Sequence, residues 1–255
     1  MAKIRRGKDI ENAQGPLGVL IPGVGAVTTT MLAGVFSAVR GFSRPLGAVT
    51  QYGRIRLGRR DENKNRKVKD FVPLADPGDL VFGGWDIFPE NAHEAAVKAG
   101  VLKREHIEPV REELRQVPIM KAVFDRRFVE RLDGPHVKRG SSKMHLAEQL
   151  IKDIEGFRKR TGAKRMVMCW AASTEAFSEV GDCHRSLEQF EQGLRENHPA
   201  ISSSQIYAYA ALQLKIPYIN GAPHVTVDCP ALLELARKNS VPVCGKDFKT
   251  GQTLM

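Results

Sequence analysis

Two glycines one residue apart, Gly23 and Gly25 in P-G-V-G-A-V-T-T-T, stand between a short apolar run and apolar residues at helical spacing (Val27, Met31, Leu32, Val35, Val39). Glycine lets a backbone come close to an anion, and a helix start presents N–H groups without partners inside the helix. Such a turn suits phosphate: Gly23, Val24, Gly25, Ala26, Val27 and Thr28 would line it, and the helix dipole would add to the attraction. The dinucleotide pattern G-x-G-x-x-G has a third glycine where this chain has Thr28. The pattern alone therefore leaves two readings open, a phosphate loop or a structural strand-turn-helix. Thr28, Thr29 and Thr30 could cap the helix or bond a phosphate.

Other polar groups gather after apolar runs. Asp86 follows Leu80 to Phe82 and the pair Gly83-Gly84, where it could hold ribose hydroxyls or cap the next helix. Ser173, Thr174 and Glu175 end the run Arg165 to Ala172, Ser202 to Ser204 open a helical stretch, and Asn220 closes a strand ahead of G-A-P-H. Near the end, G-K-D-F-K-T-G-Q-T offers Lys246 and Lys249 for phosphate or oxyanion work and Asp247 as acceptor or proton relay. His224, with Asp228 four residues on, reads either as a base or as a satisfied core histidine. The serines lack an evident base, G-x-S-x-G is absent, and Glu and His do not recur at zinc-ligand spacing, so neither a serine nucleophile nor a metal site is expected.

The elements that must position these groups alternate in type. Beyond the opening strand and helix, Pro45 to Gln51 reads as a second strand. Helices are expected from about Ala92, over Arg104 to Gln116, Met144 to Arg160, from Ser202 to Leu214 and over Pro230 to Lys238. Arg165 to Ala172 reads as a strand buried on both faces, and Ile216 to Asn220 and Val241 to Cys244 as further strands. Alternation of this kind predicts an α/β fold, a doubly wound and mostly parallel sheet of Rossmann type.

Composition narrows the partners. The 255 residues are 42% hydrophobic and 27% charged, as in a globular protein, and no apolar run is long enough to span a bilayer. A net charge of +10 collects at Lys3 to Lys8, Arg54 to Lys69 and Lys121 to Lys143. Interleaved aromatics are missing there, so nucleic acid is disfavoured against small phosphorylated ligands. An acidic residue after the presumed second strand is missing too; Arg54, Arg56, Arg59 and Arg60 stand there instead and would favour a 2′-phosphate and NADP, or form a solvated basic loop. Cys169, Cys183, Cys229 and Cys244 form no C-x-x-C pair and read as buried free thiols in a reducing, cytoplasmic setting.

Taken together, G-V-G-A-V-T-T-T, R-L-G-R-R, G-G-W-D-I, W-A-A-S-T-E, Y-I-N-G-A-P and G-K-D-F-K-T-G-Q-T, in that order, resemble the myo-inositol-1-phosphate synthases, prokaryotic branch. The resemblance implies NAD as cofactor and glucose 6-phosphate as substrate. It also implies oxidation of C5 of the open-chain sugar, aldol closure and reduction that restores the cofactor, in a homo-oligomer, commonly a tetramer. Carried over by motif, the loop Gly23 to Thr28 would hold the pyrophosphate and Asp86 the adenosine side. Ala172, Ser173 and Thr174 would pass the cofactor, with Ser203, Ser204 and Asn220 near the nicotinamide or sugar and Asp247, Lys246 and Lys249 catalytic. Two departures stand out: G-V-G-A-V-T replaces the G-x-G-G-N-N of eukaryotic members, so an amide side-chain contact cannot be transferred, and the family pattern continues beyond Met255. The expected organisation is an NAD-binding domain over 1–245 and the start of a catalytic and oligomerisation domain over 246–255. Such a chain is expected to bind NAD weakly and not to close the ring by itself. The residues also leave room for an ordinary NAD(P) dehydrogenase domain.

Overall fold

The computed structural model describes residues 14–248. β1 (Leu17–Pro22) passes through the glycine turn into α1 (Ala26–Val39). Residues 40–79 are an excursion that carries α2 (Val49–Tyr52) and an antiparallel hairpin of β2 (Arg54–Arg56) with β3 (Asn65–Lys67). The chain then returns through β4 (Leu80–Asp86), α3 (Ala92–Ala99), α4 (Arg104–Ile107), α5 (Arg111–Gln116) and β5 (Ile119–Lys121). The second half runs α6 (Lys143–Thr161), β6 (Arg165–Trp170), α7 (Leu187–Arg195), α8 (Ser203–Gln213), β7 (Tyr218–Asn220), α9 (Pro230–Lys238) and β8 (Val243–Gly245). No described helix is long and apolar enough to cross a membrane.

Six strands form one parallel sheet in the order β5-β4-β1-β6-β7-β8. With the hairpin set aside this is the 3-2-1-4-5-6 order of a doubly wound dinucleotide fold, as the alternation predicted. One expectation is corrected: Pro45 to Gln51 is not the second strand, because β4 takes that place beside β1. Pro45 and Gly47 interrupt the ladder that a strand there would need, and Leu46 and Val49 stand in solvent at 73% and 70% exposure.

Helices cover both faces. On one, α1, α3 and α5 pack Leu32, Ala96 and Leu114 against Ile21 and Phe82; on the other, α6 and α8 bring Leu150, Phe157 and Tyr207 onto Leu20, Met168 and Trp85. β6 is buried through Met166, Met168 and Trp170, while Val167 and Cys169 are only half-covered, so burial on both faces holds incompletely. The four cysteines are free, with Cys183 and Cys229 buried as expected but Cys244 exposed.

Phe157 sets how closely α6 approaches the sheet. A β-carbon at Gly18 would lie 3.0 Å from its Cε1 and one at Gly83 would lie 2.8 Å from its Cε2, so the bare backbone of β1 and β4 is the seat of this ring. Phe157→Ala should therefore cost about 3–5 kcal/mol in urea unfolding. Phe177→Ala, at a side chain 76% exposed, should stay within about 0.5 kcal/mol.

Candidate functional site

The carboxyl ends of β4, β1 and β6 are laced by backbone bonds. Gly23 N–H donates to Trp85 O (2.8 Å) and Ala171 N–H to Pro22 O (2.9 Å). Gly23 has φ +91°, and a β-carbon there would sit 2.3 Å from Ala172 Cα. Gly25 is the opposite case: a β-carbon on it would meet nothing within 4 Å, because it faces a cavity of about 560 Å³ opening over the strand ends. Gly25 is the N-cap of α1, yet no side chain among the described residues caps this helix and no acidic residue occupies its first turn. Its leading N–H groups therefore remain available to an anion. This open cradle fits the pyrophosphate of a dinucleotide.

The threonines serve the loop from behind. Thr28 Oγ1 donates to Gly23 O (2.5 Å) and Thr29 Oγ1 to Gly25 O (3.0 Å), and both side chains are buried. The loop lining of the cavity runs from Pro22 to Val27 and omits Thr28.

Asp86 ends β4, the strand in sheet position two, which is where an acidic residue for ribose hydroxyls belongs. Its Oδ2 accepts from Val24 N–H (2.7 Å) and its Oδ1 from Phe88 N–H (3.0 Å), fixing the carboxylate against the loop at the cavity wall. Each oxygen keeps a lone pair for a hydroxyl. Capping of α3 falls to Asn91, whose side chain accepts from His93 and Glu94 N–H. Arg54, Arg56, Arg59 and Arg60 lie on or beside the hairpin, and none lines the cavity.

Across the cavity, Ala172, Ser173, Thr174 and Ser203 form the far wall. Ser204 is fully buried behind it; its N–H donates to Glu175 Oε1 (2.8 Å) and its hydroxyl to Glu175 Oε2 (2.5 Å). Burial pushes the Glu175 carboxyl up from its ordinary value, against the lowering effect of the Ser202 and Ser204 hydroxyls. Lys143 reaches the turn before α8, donating from Nζ to His198 O (2.7 Å) and Ile201 O. Burial lowers its pKa to about 8.

The expected residues of β7 and β8 are not brought to this wall. Asn220 is buried, with Nδ2 donating to His224 O (2.9 Å) and Oδ1 accepting from Ala222 N–H (3.3 Å), and so shapes the loop after β7. Lys246 pairs with Asp228 (2.6 Å), and Asp247 donates its N–H to Ala222 O (3.3 Å) from an exposed turn. Neither lines the cavity, and Lys249 lies outside the described residues. The pairing of Asp228 with Lys246 leaves His224 to other partners: its Nδ1 accepts from Glu175 N–H (3.2 Å). Burial, then the nearby Lys246 charge, lowers His224 to about 4, so the imidazole is neutral.

Sequence alone assigns no site role to several lining residues. Phe88, with Lys98 Nζ 4.4 Å over its ring and Glu90 bonded to Lys98 (2.6 Å), forms part of the lining. Trp170 and Tyr207 meet edge to face at 5.6 Å and form the floor. Glu175 was visible in W-A-A-S-T-E as an acid at a strand end, but its burial against α8 is a tertiary fact.

A family model described as Myo-inositol-1-phosphate synthase, and named for NAD binding, matches residues 17–253. Inositol-3-phosphate synthase 1 of Bacteroides thetaiotaomicron is 44% identical over 250 residues, covering 97% of this chain and 58% of the relative. A probable inositol 3-phosphate synthase isozyme 3 of Arabidopsis thaliana is 33% identical over 94% of this chain and 50% of its own length. The crystal structure of inositol-3-phosphate synthase from Caenorhabditis elegans superposes with a TM-score of 0.85 at 27% identity, over 94% of this chain and 50% of that one. The chain thus spans about half the length of the curated relatives it matches. With the sheet order, the open glycine cradle and this match agreeing, the chain belongs to the NAD-binding myo-inositol-1-phosphate synthase family.

Proposed function

We propose that this chain is the cofactor-holding part of an enzyme that converts glucose 6-phosphate to myo-inositol phosphate by internal oxidation, aldol closure and reduction. The observation that carries the reading is the open face of Gly25 at the uncapped start of α1, with Asp86 fixed beside it. When bound, NAD supplies a hydride acceptor that later gives the hydride back. The residues of this chain bind and orient. The amides of Gly25, Ala26 and Val27 hold the pyrophosphate, and Asp86 accepts from the adenosine ribose. Ala172, Ser173, Thr174 and Ser203 form the wall along which the nicotinamide end lies. Gly23, Val24, Thr28 and Ser204 hold the site from behind, and Asn220 shapes the neighbouring loop.

Lys246, Asp247 and Lys249 are assigned to the sugar end; Lys246 would have to exchange Asp228 for the phosphate of the substrate. Residues 1–245 make up the cofactor domain in this reading, and 246–255 begin the catalytic one. Ring closure belongs to the longer family polypeptide, which we propose acts as a cytoplasmic homo-oligomer without nucleic acid or membrane as partner.

The two glycines separate folding from binding. Gly25→Ala should leave the melting temperature unchanged and weaken NAD at least about tenfold in calorimetric titration, since its methyl fills the cradle. Gly23→Ala should lower the melting temperature as well, because its β-carbon strikes the Ala172 backbone.

Cofactor choice gives a second test. Asp86 should make the parent chain prefer NAD to NADP through repulsion of the 2′-phosphate, and Asp86→Asn should narrow the difference in the same titration. Equal affinities in the parent would remove Asp86 from the ribose.

Given glucose 6-phosphate and NAD, the 255-residue chain should produce neither inositol phosphate nor a rising reduced-nicotinamide absorbance. A steady rise in that absorbance would mark an ordinary two-substrate dehydrogenase instead.

A further inference from the structure

Glu175 is 4% exposed, and among the described residues the basic group within salt-bridge reach is His224, whose imidazole is held neutral. A buried carboxylate of this kind is costly, and an apolar side chain of equal volume would stabilise the core at least as well. What distinguishes Glu175 is the number of elements it joins. It follows Ser173 and Thr174 beyond the end of β6. Its Oε1 accepts from Ser204 N–H and its Oε2 from the Ser204 hydroxyl, which ties it to the first turn of α8. Thr226 Oγ1 lies 2.5 Å from the same Ser204 hydroxyl and Ser202 Oγ lies 3.1 Å away, so the loop after β7 joins the knot. Its own N–H donates to His224 Nδ1. Because Nδ1 accepts, the proton of the neutral imidazole sits on Nε2, 3.9 Å from Glu175 Oε2 and without another partner. Asp125, Lys143 and Tyr218 are further titratable groups coupled to it by charge.

Both segments that meet at Glu175 contribute to the cavity wall, Ser173 and Thr174 from one and Ser203 from the other. We infer that Glu175 is a positioning residue, which sets the cofactor-facing end of β6 and the start of α8 in register with each other. Glu175 also borders the cavity, but it is 4% exposed and both its oxygens are engaged by Ser204, so it acts through Ser204 and the peptide of residue 175 and not through contact with the reacting atoms. The inference rests on the cofactor reading given above for what the wall receives, and on the hydrogen bonds alone for the positioning itself.

The test compares Glu175→Met, which fills the volume and accepts nothing, with Glu175→Gln, which keeps an acceptor for Ser204 N–H. Folding is checked by thermal melting, NAD affinity by calorimetry, and local order by hydrogen exchange of the amides over 173–176 and 203–205. Glu175→Met should weaken NAD about tenfold and speed exchange in those two segments alone, whereas Glu175→Gln should restore both to within about threefold of the parent. A folded Glu175→Met that binds NAD within about twofold and keeps its protection overturns the inference, as does an equal loss in both variants. Should Glu175→Met fail to fold, Ser204→Ala takes its place: faster exchange over 173–176 supports the inference, and unchanged exchange overturns it. A parent chain that does not bind NAD defeats the cofactor reading instead, and the exchange comparison, made without cofactor, still decides the positioning role.

Discussion

The contact between Gly23 and the backbone of Ala172 is the constraint from which the rest follows. With a would-be β-carbon 2.3 Å from Ala172 Cα, only glycine lets the end of β1 lie against the end of β6. That contact brings three strand ends level: Gly23 bonds to Trp85 on β4 and Ala171 to Pro22 on β1. The level ends are the floor on which the cavity stands, at the point where the chain, having wound outward through β4 and β5, turns back to β6. Crevices in doubly wound sheets open at this switch. Positive φ at Gly23 then aims the chain so that Gly25, two residues later, starts α1 with its bare face outward.

Two helix starts border the cavity, and the fold treats them oppositely. α8 receives Glu175 on its Ser204 amide and closes a Ser202–Gln205 capping box, so its first turn is satisfied from within. α1 receives no side-chain cap. An anion entering the cavity therefore finds one helix start with open N–H groups and one whose Ser204 amide is already occupied by Glu175. The closed start does mechanical duty instead, since Lys143 on the preceding turn and Gln205 toward His184 hold it from the other side.

Local chemistry was legible where the motif is continuous in sequence. The strand-turn-helix from Leu17 to Val39, the start of α8 at the Ser202 to Ser204 run and the helix Pro230–Lys238 fall close to where periodicity and capping residues put them. The second strand was misread because residues 40–79 intervene between α1 and β4, and an apolar tetrad, Leu46 to Val49, lay where a uniform α/β rhythm would put a strand. Sequence reading names Asp86 as a candidate for ribose hydroxyls but not as the acid that ends the strand in sheet position two. Once β4 occupies sheet position two, the acid that had looked absent stands at its end, and the arginines that suggested NADP belong to an exposed hairpin. The pairing of Asp228 with Lys246 and the burial of Glu175 were out of reach for a different reason, since both depend on contacts between residues 18 and 29 apart that no local pattern encodes.

The side chains of the loop carry a final consequence. Val24 is buried, while Ala26 and Val27 are exposed and apolar, so this loop offers an anion its backbone and nothing else. Backbone amides recognise charge and curvature but cannot tell one dinucleotide from another. Val24 N–H is already taken by Asp86, which leaves fewer amides for phosphate and ties this carboxylate to the loop. In the proposed cofactor reading, discrimination would fall to Asp86, a residue from a different strand held against the loop by its bond to Val24 N–H. If the proposed roles hold, substitutions that loosen the loop should disturb selectivity and affinity together, because one hydrogen bond joins the loop to Asp86.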